Sequence, residues 1–465
     1  LTVWNVYRKR KNIKYPVIFN VVKDKSGLFI GIIALILFVV SAISSFHNKR
    51  EMAQMFSLKT IGSVEHELTT PDCAVFYTPI YRLVFSIYAN HLAAQQIDRL
   101  VDAKDRVAVQ DCTFDAKNIV LIIGESLGPH HSQQYGYFMN TTPRQVALEK
   151  SGLLVPFSDV VAPWNLTSFV FKNIFSMHVV GQKGEWCDYP LFPQLFRKAG
   201  YHVSFITNQF LPQAKEAVYD FSGGFFLNHK ELSESMFDTR NTHLHTFDEG
   251  LLADYDNKLK AENKENNLII FHLIGSHVSY NRRYPKSRKH FKAADYEQKR
   301  PELTKQRRYM LAHYDNAILY NDSIVDQIVK RFANEEAVVI YMPDHGEECF
   351  EGNRGIICRN HSAEIDYDLA RYEFAVPFWI YCSPKYIEKH PKVFEQIKAA
   401  RHKRFMTDAL PHLLLHLGGI KAKDYHSEYD ILSPQYNEKR PRILKNQTNY
   451  DDLVAEHKRK AAMKP

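Results

Sequence analysis

Two short apolar runs in this sequence end in side chains that bind hard metal ions. Residues 337–341 lead into Asp344 and His345, and residues 118–123 lead, after one glycine, into Glu125. Carboxylates and imidazoles at the carboxyl ends of two buried strands can share one metal ion across a sheet. Glu125 alone would also suit a helix N-terminus, where a carboxylate stabilises the helix dipole. Together, the two motifs predict a metal site.

A threonine hydroxyl is the candidate nucleophile. Residues 162–168, APWNLTS, form a turn before an apolar helical run over residues 169–177, so Thr167 and Ser168 are expected at a helix N-terminus. Free N–H groups and the helix dipole favour a phosphate or an oxyanion there. An ordinary N-cap is the commoner role of such a residue. The two metal motifs are what favour a nucleophile at this position.

The expected ligand set also indicates which metal would serve. A metal held by carboxylates, an imidazole and a hydroxyl lowers the pKa of that hydroxyl, which makes an alkoxide available at neutral pH. Zinc, as one or two ions, fits these nitrogen and oxygen ligands, and manganese remains an alternative.

Two further histidines are expected on loops at strand ends. His277 follows the apolar run 268–273, and His361 follows the loop between Cys349 and Cys358. A solvated histidine is the default at such positions, but beside a metal these two could neutralise phosphate oxygens or protonate a leaving group. Other histidines are expected inside strands or on helix surfaces, outside the site: His130, His131, His202 and His272.

Alternating strand and helix patterns from residue 116 onward predict an α/β domain with a mostly parallel sheet flanked by helices. This extracytoplasmic catalytic domain is expected to span residues 116–432, and the polar, basic residues 433–465 are expected to form a loosely held tail. Strands are predicted at residues 118–123, 202–207, 268–273, 338–342 and 376–382.

The N-terminal part of the chain has the pattern of a membrane anchor. Residues 26–46 carry no charge and are mostly apolar, which predicts a transmembrane helix. Seven Lys or Arg residues precede this run and only Lys49 and Arg50 follow closely, so residues 1–25 are expected to be cytoplasmic. The chain starts with Leu1 and is expected to be a fragment. Residues 47–115 are expected to bridge the membrane and the catalytic domain.

Composition indicates a packed globular body and gives no sign of nucleic-acid binding. Apolar residues make up 45% of the 465 residues and the net charge is +8. This modest positive charge favours anionic surfaces such as lipids or glycans, and no zinc-finger or RNA-binding signature is present. A basic stretch after His277 is either a solvated surface or a docking site for a phosphorylated glycolipid or for anionic headgroups. Among six cysteines, Cys349 and Cys358 flank a glycine-containing loop and are the expected disulfide.

Several ordered motifs resemble one known family. NIVLIIGES followed by QQYGYFMNTTP is similar to the start of the catalytic domain of the phosphoethanolamine transferases. These are membrane-anchored members of the alkaline phosphatase and sulfatase superfamily. The similarity continues through VVAPWNLTS, FRKAGYHVSFITNQ, TFDEGLL, FHLIGSHVSYNRRYP and YMPDHGEE, and it covers residues 80–420.

The resemblance implies roles for individual residues. Glu125, Thr167, Asp344 and His345 match the zinc site of the family, in which Thr167 would be the nucleophile that becomes phosphorylated. His277 and His361 match histidines that bind the phosphoethanolamine group or a second zinc. Polar substrate-binding residues of the family fall, with a different spacing, at two further positions, Asn208 and Lys215.

The function that the resemblance implies is transfer of phosphoethanolamine from phosphatidylethanolamine to an envelope glycolipid or glycan. The acceptor would be lipid A or the lipopolysaccharide core. The segment around Thr167 lacks the cysteine-rich setting of the lipid A enzymes, which leaves the acceptor open. Such an enzyme would reside in the bacterial inner membrane with its catalytic domain in the periplasm. The alternatives are a phosphoglycerol transferase, a phosphatase or sulfatase of the same superfamily, and a catalytically inert glycan-binding membrane protein.

Overall fold

The computed structural model describes residues 25–70, 79–211, 225–352 and 354–463. The chain divides into two compact units, the first comprising Leu1–Lys59 with Pro71–Tyr88 and the second comprising Thr60–Thr70 with Ala89–Pro465. The predicted cytoplasmic segment and Lys215 lie outside the described residues.

The first unit contains the predicted membrane helix. Helix α1 (Lys25–Ser44) exposes nearly all of its apolar side chains and is followed by α2 (Phe46–Met55). In the described part of the chain, no single helix is long and apolar enough to cross a membrane. The helices over residues 28–44 and 46–55, with a bend of 49° between them, reach the length and apolar composition of a membrane span only as a pair. The hydroxyls of Ser44 and Ser45 both donate to the Ser41 carbonyl, at 3.1 and 2.6 Å, and such back-bonding bends helices.

A seven-stranded sheet forms the centre of the second unit. Its order is β2–β7–β6–β1–β5–β3–β4, and β7 alone runs in the direction opposite to the other six strands. The predicted α/β fold with a mostly parallel sheet is therefore confirmed. The strands are β1 (Asn118–Gly124), β2 (Leu154–Phe157), β3 (His202–Thr207), β4 (Thr239–Arg240), β5 (Asn267–His272), β6 (Ala337–Pro343) and β7 (Phe378–Cys382).

Helices cover this sheet, and their apolar faces build the core with the strands. Because both sides of β1 and β6 are covered, these strands carry apolar residues at consecutive positions rather than in alternation. The remaining helices are α3 (Ile61–Leu68), α4 (Pro79–Ala103), α5 (Pro143–Lys150), α6 (Thr167–Phe175), α7 (Phe192–Ala199), α8 (Phe225–Asn228), α9 (Lys230–Met236), α10 (Glu249–Asn257), α11 (Lys305–Phe332), α12 (Tyr367–Glu373), α13 (Pro384–Lys389), α14 (Pro391–Ala400), α15 (Leu410–Gly418) and α16 (Tyr450–Ala462).

The parallel register of three central strands brings their carboxyl ends to one edge. Gly124 at the end of β1 pairs with Pro343 at the end of β6, and the Asp344 N–H donates to the Gly124 carbonyl at 3.1 Å. On the other side of β1, Ile123 pairs with His272 at the end of β5. The residues that follow these three strands must therefore meet at the same place.

The predicted loose tail is wrong for the described residues 433–463. Leu444 and Tyr450 are buried in an apolar cluster with Phe374 and other residues. Arg442 is only 3% exposed and binds Asp159 at 2.5 Å. These contacts attach the segment to the rest of the second unit, and α16 follows directly after them.

The predicted disulfide is also not formed. Cys349 and Cys358 are free cysteines on the short antiparallel strands Glu348–Cys349 and Ile357–Cys358. Cys349 faces Ile357 in this ladder and Cys358 faces Glu348, so the two cysteines are not directly opposite each other. A cross-strand disulfide needs facing positions, because the two Cβ atoms must approach to about 3.8 Å.

Candidate active site

Three buried side chains converge at the carboxyl ends of β1 and β6. One ligand atom each from Glu125, Asp344 and His345 lies within 4.8 Å of the others. His345 Nε2 is 3.1 Å from Asp344 Oδ2 and 3.5 Å from Glu125 Oε1. All three residues are at most 1% exposed. The sequence motifs that predicted a metal site are thus brought together by the register of the sheet.

Neighbouring groups hold the candidate ligands in defined orientations. Glu125 Oε1 accepts a hydrogen bond from the Ser126 hydroxyl at 2.6 Å. The Gln209 amide donates to Glu125 Oε2 at 2.9 Å and to the Leu273 carbonyl at 2.8 Å. His345 Nδ1 lies 2.8 Å from its neighbouring Gly346 carbonyl, which makes Nδ1 the donor and leaves the Nε2 lone pair for a cation.

The buried charges at this site fit a metal ion. Asp344 Oδ2 is buried and has no hydrogen-bond partner in the described structure. Although burial alone would raise the pKa of Asp344, the facing His345 lowers it to about 2. Arg359 supplies one positive charge near the two buried carboxylates, so a divalent cation would complete the balance of charge.

Thr167 lies next to these ligands at the first position of α6. Its Oγ1 is 3.4 Å from Glu125 Oε2 and 3.4 Å from His345 Nε2. The rest of α6 is buried, and Phe169 stacks on Trp164 with ring centroids 4.2 Å apart. This packing fixes the helix N-terminus beside the candidate ligands, and the helix dipole there favours an anion.

The two predicted histidines have different surroundings. Burial, with the charge of Arg359 nearby, lowers the pKa of His277, and negative Glu125 opposes that shift only in part. His277 Nδ1 is 3.3 Å from Arg283 Nη2. The pKa of His361 is also lowered, by desolvation within its loop and then by the charge of Arg359. Both imidazoles are therefore neutral near pH 7, a form that suits hydrogen bonding or metal binding.

Arg359 is a site residue that the sequence analysis missed. Its guanidinium contacts His345 Nε2, donates to the Asn165 carbonyl at 3.2 Å and lies 3.5 Å from Glu347 Oε2. It places a fixed positive charge next to Thr167. The clue in the sequence was its position two residues before His361, on a loop already assigned to the site.

Asn208, predicted to contact the substrate, has both of its side-chain polar atoms bonded to protein groups. Asn208 is 5% exposed; its Oδ1 accepts the His245 N–H at 2.7 Å and its Nδ2 donates to Asp248 at 3.0 Å. Asp248 in turn accepts the backbone N–H groups of Ile274 and Gly275. Asn208 thus supports the loop after β5, while its neighbour Gln209 is the residue that reaches the site.

His131, expected on a helix surface, is instead buried in an ion network. It is 1% exposed, with Nδ1 at 3.0 Å from Asp315 and Nε2 at 2.6 Å from Glu351. With His130, His131 and Glu351 form a second group that could hold a metal. Because both ring nitrogens of His131 already bind carboxylates, a structural imidazolium explains this group without a metal.

Comparison with known proteins gives a consistent picture. The sequence matches the family model described as Sulfatase over residues 117–420. The phosphoethanolamine transferase EptC of Escherichia coli (strain K12) is 26% identical over 327 residues, which cover 70% of this chain and 54% of that protein. The chain thus spans about half the length of the curated relatives it matches.

Solved structures share the fold. The zinc complex of the C-terminal periplasmic domain of Escherichia coli EptC has a TM-score of 0.62 at 23% identity, covering 74% of this chain and 98% of that one. The integral membrane protein lipooligosaccharide phosphoethanolamine transferase A from Neisseria meningitidis has a TM-score of 0.57 at 18% identity, covering 90% and 74%. The expected alkaline-phosphatase and sulfatase-like architecture is therefore confirmed.

Proposed function

Because this chain belongs to the sulfatase family, we propose that it is a metal-dependent transferase that moves phosphoethanolamine from phosphatidylethanolamine to an envelope glycolipid or glycan. The observation that carries this proposal is the position of Thr167 Oγ1, 3.4 Å from both Glu125 Oε2 and His345 Nε2. The names of the curated relatives support phosphoethanolamine as the transferred group.

Glu125, Asp344, His345 and Thr167 are the residues that would hold the metal. Zinc bound there would lower the pKa of the Thr167 hydroxyl and make it nucleophilic. The zinc complex of the EptC domain supports this choice of ion, and the oxygen-rich ligand set also suits manganese. The number of ions depends on whether His277 and His361 bind a second one.

In the first half-reaction, Thr167 Oγ attacks the phosphorus of phosphatidylethanolamine. The Oγ–P bond forms as Thr167 gives up its hydroxyl proton to water. The bond from phosphorus to the diacylglycerol oxygen breaks, and that oxygen takes a proton from water, so no net proton is gained or lost. The N-terminus of α6 and the guanidinium of Arg359 stabilise the charge on the phosphoryl oxygens. The neutral imidazoles of His277 and His361 hold the phosphoethanolamine group by hydrogen bonds.

In the second half-reaction, a hydroxyl or phosphate oxygen of the acceptor attacks the phosphothreonine. The new O–P bond forms, the acceptor oxygen gives up any proton it carries, and Thr167 Oγ regains a proton as its bond to phosphorus breaks. Lipid A and the lipopolysaccharide core are the acceptors considered. Since the enzyme returns to its starting state, Thr167 turns over and is not consumed.

The proposed location follows from the exposed apolar surface of α1 and the membrane-protein neighbour. Residues 26–46 would anchor the chain in the bacterial inner membrane, with residues 1–25 in the cytoplasm and residues 116–432 in the periplasm. Residues 47–115 would bridge the two. This placement gives the catalytic unit direct access to phosphatidylethanolamine in the outer leaflet of that membrane.

Intact-mass analysis tests the proposal. The chain incubated with phosphatidylethanolamine vesicles should gain the mass of one phosphoethanolamine group, and Thr167→Ser should gain it more slowly. An adduct on Thr167→Ala would contradict the assigned nucleophile. A phosphoglycerol adduct from phosphatidylglycerol vesicles would indicate the sister activity. A protein that binds neither metal nor adduct would be the inert glycan-binding alternative.

A further inference from the structure

A strongly basic surface segment follows the loop of His277. Residues 282–308, here called the basic segment, contain eleven Lys or Arg residues and three Asp or Glu residues. Their excess of positive charge equals the net charge of +8 of the whole chain. The rest of the sequence is therefore electrically balanced, and the positive charge of the protein is concentrated in this one segment.

The acidic residues of the segment do not neutralise its exposed cations. Glu302 pairs with Arg300, and Glu297 lies 3.9 Å from Arg308. Asp295 accepts a backbone N–H within its own short helical turn. The other cations include six that are exposed and form no ion pair with any residue in the described ranges: Arg282, Lys286, Arg288, Lys289, Lys292 and Lys305.

Buried aromatic side chains hold the backbone that carries these cations. Tyr284, Phe291 and Tyr296 are 3%, 4% and 0% exposed and alternate along the segment with the exposed basic residues. Asn316 Oδ1, on α11, accepts the backbone N–H groups of His290 and Phe291 at 2.6 and 2.9 Å. Because the backbone is already ordered, an anion that binds here would cost little conformational entropy.

The segment is joined directly to the candidate active site. Arg283 Nε donates to the His277 carbonyl at 3.0 Å, and its Nη2 donates to the Val278 carbonyl at 2.8 Å. At the other end of the segment, the first turn of α11 contains Lys305 and Arg307 and no acidic residue. Cations at a helix N-terminus interact unfavourably with the dipole, so a bound anion would relieve this interaction.

We propose that the basic segment binds the anionic headgroup of the acceptor, a phosphorylated glycolipid, and holds it beside Thr167; this inference rests on the proposed function. The headgroup of phosphatidylethanolamine is zwitterionic and does not complement an excess of eight positive charges. A polyanionic acceptor does. Because Arg283 of the segment bonds to the His277 loop, an anion held by the segment would lie next to a loop of the candidate active site.

The test compares two quadruple variants of the full chain in vesicles. In the segment variant, four exposed cations become glutamine: Lys286→Gln, Arg288→Gln, Lys289→Gln and Lys292→Gln. The control variant makes the same charge change at exposed lysines that precede β5 or follow β7, at the opposite edge of the sheet: Lys258→Gln, Lys260→Gln, Lys385→Gln and Lys392→Gln. The ligand is purified lipopolysaccharide, intact or after its phosphates have been removed with hydrogen fluoride.

We expect the segment variant to bind intact lipopolysaccharide at least about tenfold more weakly than the wild type, with the control variant unchanged. The difference should disappear with the dephosphorylated ligand and with high salt. Formation of the phosphothreonine from phosphatidylethanolamine should be the same in all three proteins, because that step precedes acceptor binding.

Three outcomes overturn the proposal. The segment variant could bind lipopolysaccharide as well as the wild type does, or the control variant could lose as much affinity as the segment variant. The segment variant could also lose affinity only for phosphatidylglycerol vesicles and not for lipopolysaccharide. The last would identify the segment as a membrane-docking surface. Binding is also measured in a Thr167→Ala background, which cannot form the adduct. If the segment substitutions weaken binding in this background while the wild type forms no adduct, the binding surface is supported and the proposed transferase reaction is contradicted.

Discussion

Replacing His131 by glutamine should remove a pH-dependent part of the stability. His131 is buried between Asp315 and Glu351, at 3.0 and 2.6 Å. Burial alone would lower the pKa of His131, but the hydrogen bonds and charges of the two carboxylates raise it from 6.5 to about 9. The imidazolium therefore ties the loop after β1 to the segment after β6, the same two segments that carry the candidate metal ligands.

The size and sign of the effect follow from this pKa. A rise of roughly 2.5 units corresponds to about 3 kcal/mol of stability at about 1.4 kcal/mol per unit. Because the folded protein binds the proton more tightly than the unfolded chain, this stability is complete below pH 6.5 and is lost as the pH rises through 9. The His131→Gln variant lacks this pH dependence. Its free energy of unfolding should therefore fall furthest below that of the wild type at pH 6, and this deficit should shrink by about 3 kcal/mol above pH 9.

Denaturant titrations of the two proteins in detergent, at several pH values across this range, measure the difference in their free energies of unfolding. His272→Gln is the matched control, because His272 is equally buried but burial lowers its pKa to about 3, so it is neutral at every pH tested. The deficit of the control should change by less than about 1 kcal/mol and in the opposite direction, growing from pH 6 to pH 9, because only the unfolded chain gains a proton on this histidine as the pH falls through 6.5. A deficit of His131→Gln that is constant from pH 6 to pH 9 would refute the buried imidazolium.

Two further predictions distinguish the roles of Gln209 and Asn208, which follow β3 directly. Gln209→Leu removes the donor to Glu125 Oε2, so metal affinity, measured by competition with a chelator, should fall about tenfold to hundredfold; an unchanged affinity would exclude a positioning role. Asn208→Ala leaves Asp248 without one donor and should lower the free energy of unfolding by about 1–3 kcal/mol with little change in KM for the donor lipid. A higher KM without a loss of stability would instead support a substrate contact.

The centre of the site was predictable because residues that follow parallel strands lie at one known edge of the sheet. An apolar run that ends in Glu125 and another that ends in Asp344 must meet if their strands are parallel neighbours, and the pairing of Gly124 with Pro343 is the register that brings them together. Thr167 followed from a helix start, which is a local signal. The only long-range contact that had to be assumed was the adjacency of β1 and β6 in the sheet.

The missed residues depend on contacts between distant parts of the chain. His131 meets Asp315 and Glu351 across 184 and 220 residues, and no local pattern distinguishes it from an exposed histidine. Asn208 and Gln209 are adjacent, and the sequence does not say which of them turns towards Glu125. The pairing of Cys349 with Ile357 likewise depends on where the loop between the short strands closes.

The charges of the site would link the protonation of His345 to the binding of a metal ion. Asp344 raises the pKa of His345 against the opposing effects of burial and Arg359, so the proton on His345 balances part of the buried negative charge. Burial also raises the pKa of Glu347, to about 7. A divalent cation between Glu125 and Asp344 would replace that compensation, since His345 must be deprotonated at Nε2 to bind a metal. A metal ion and a proton would therefore compete for one nitrogen, so in the proposed function His345 would connect the activation of Thr167 to pH.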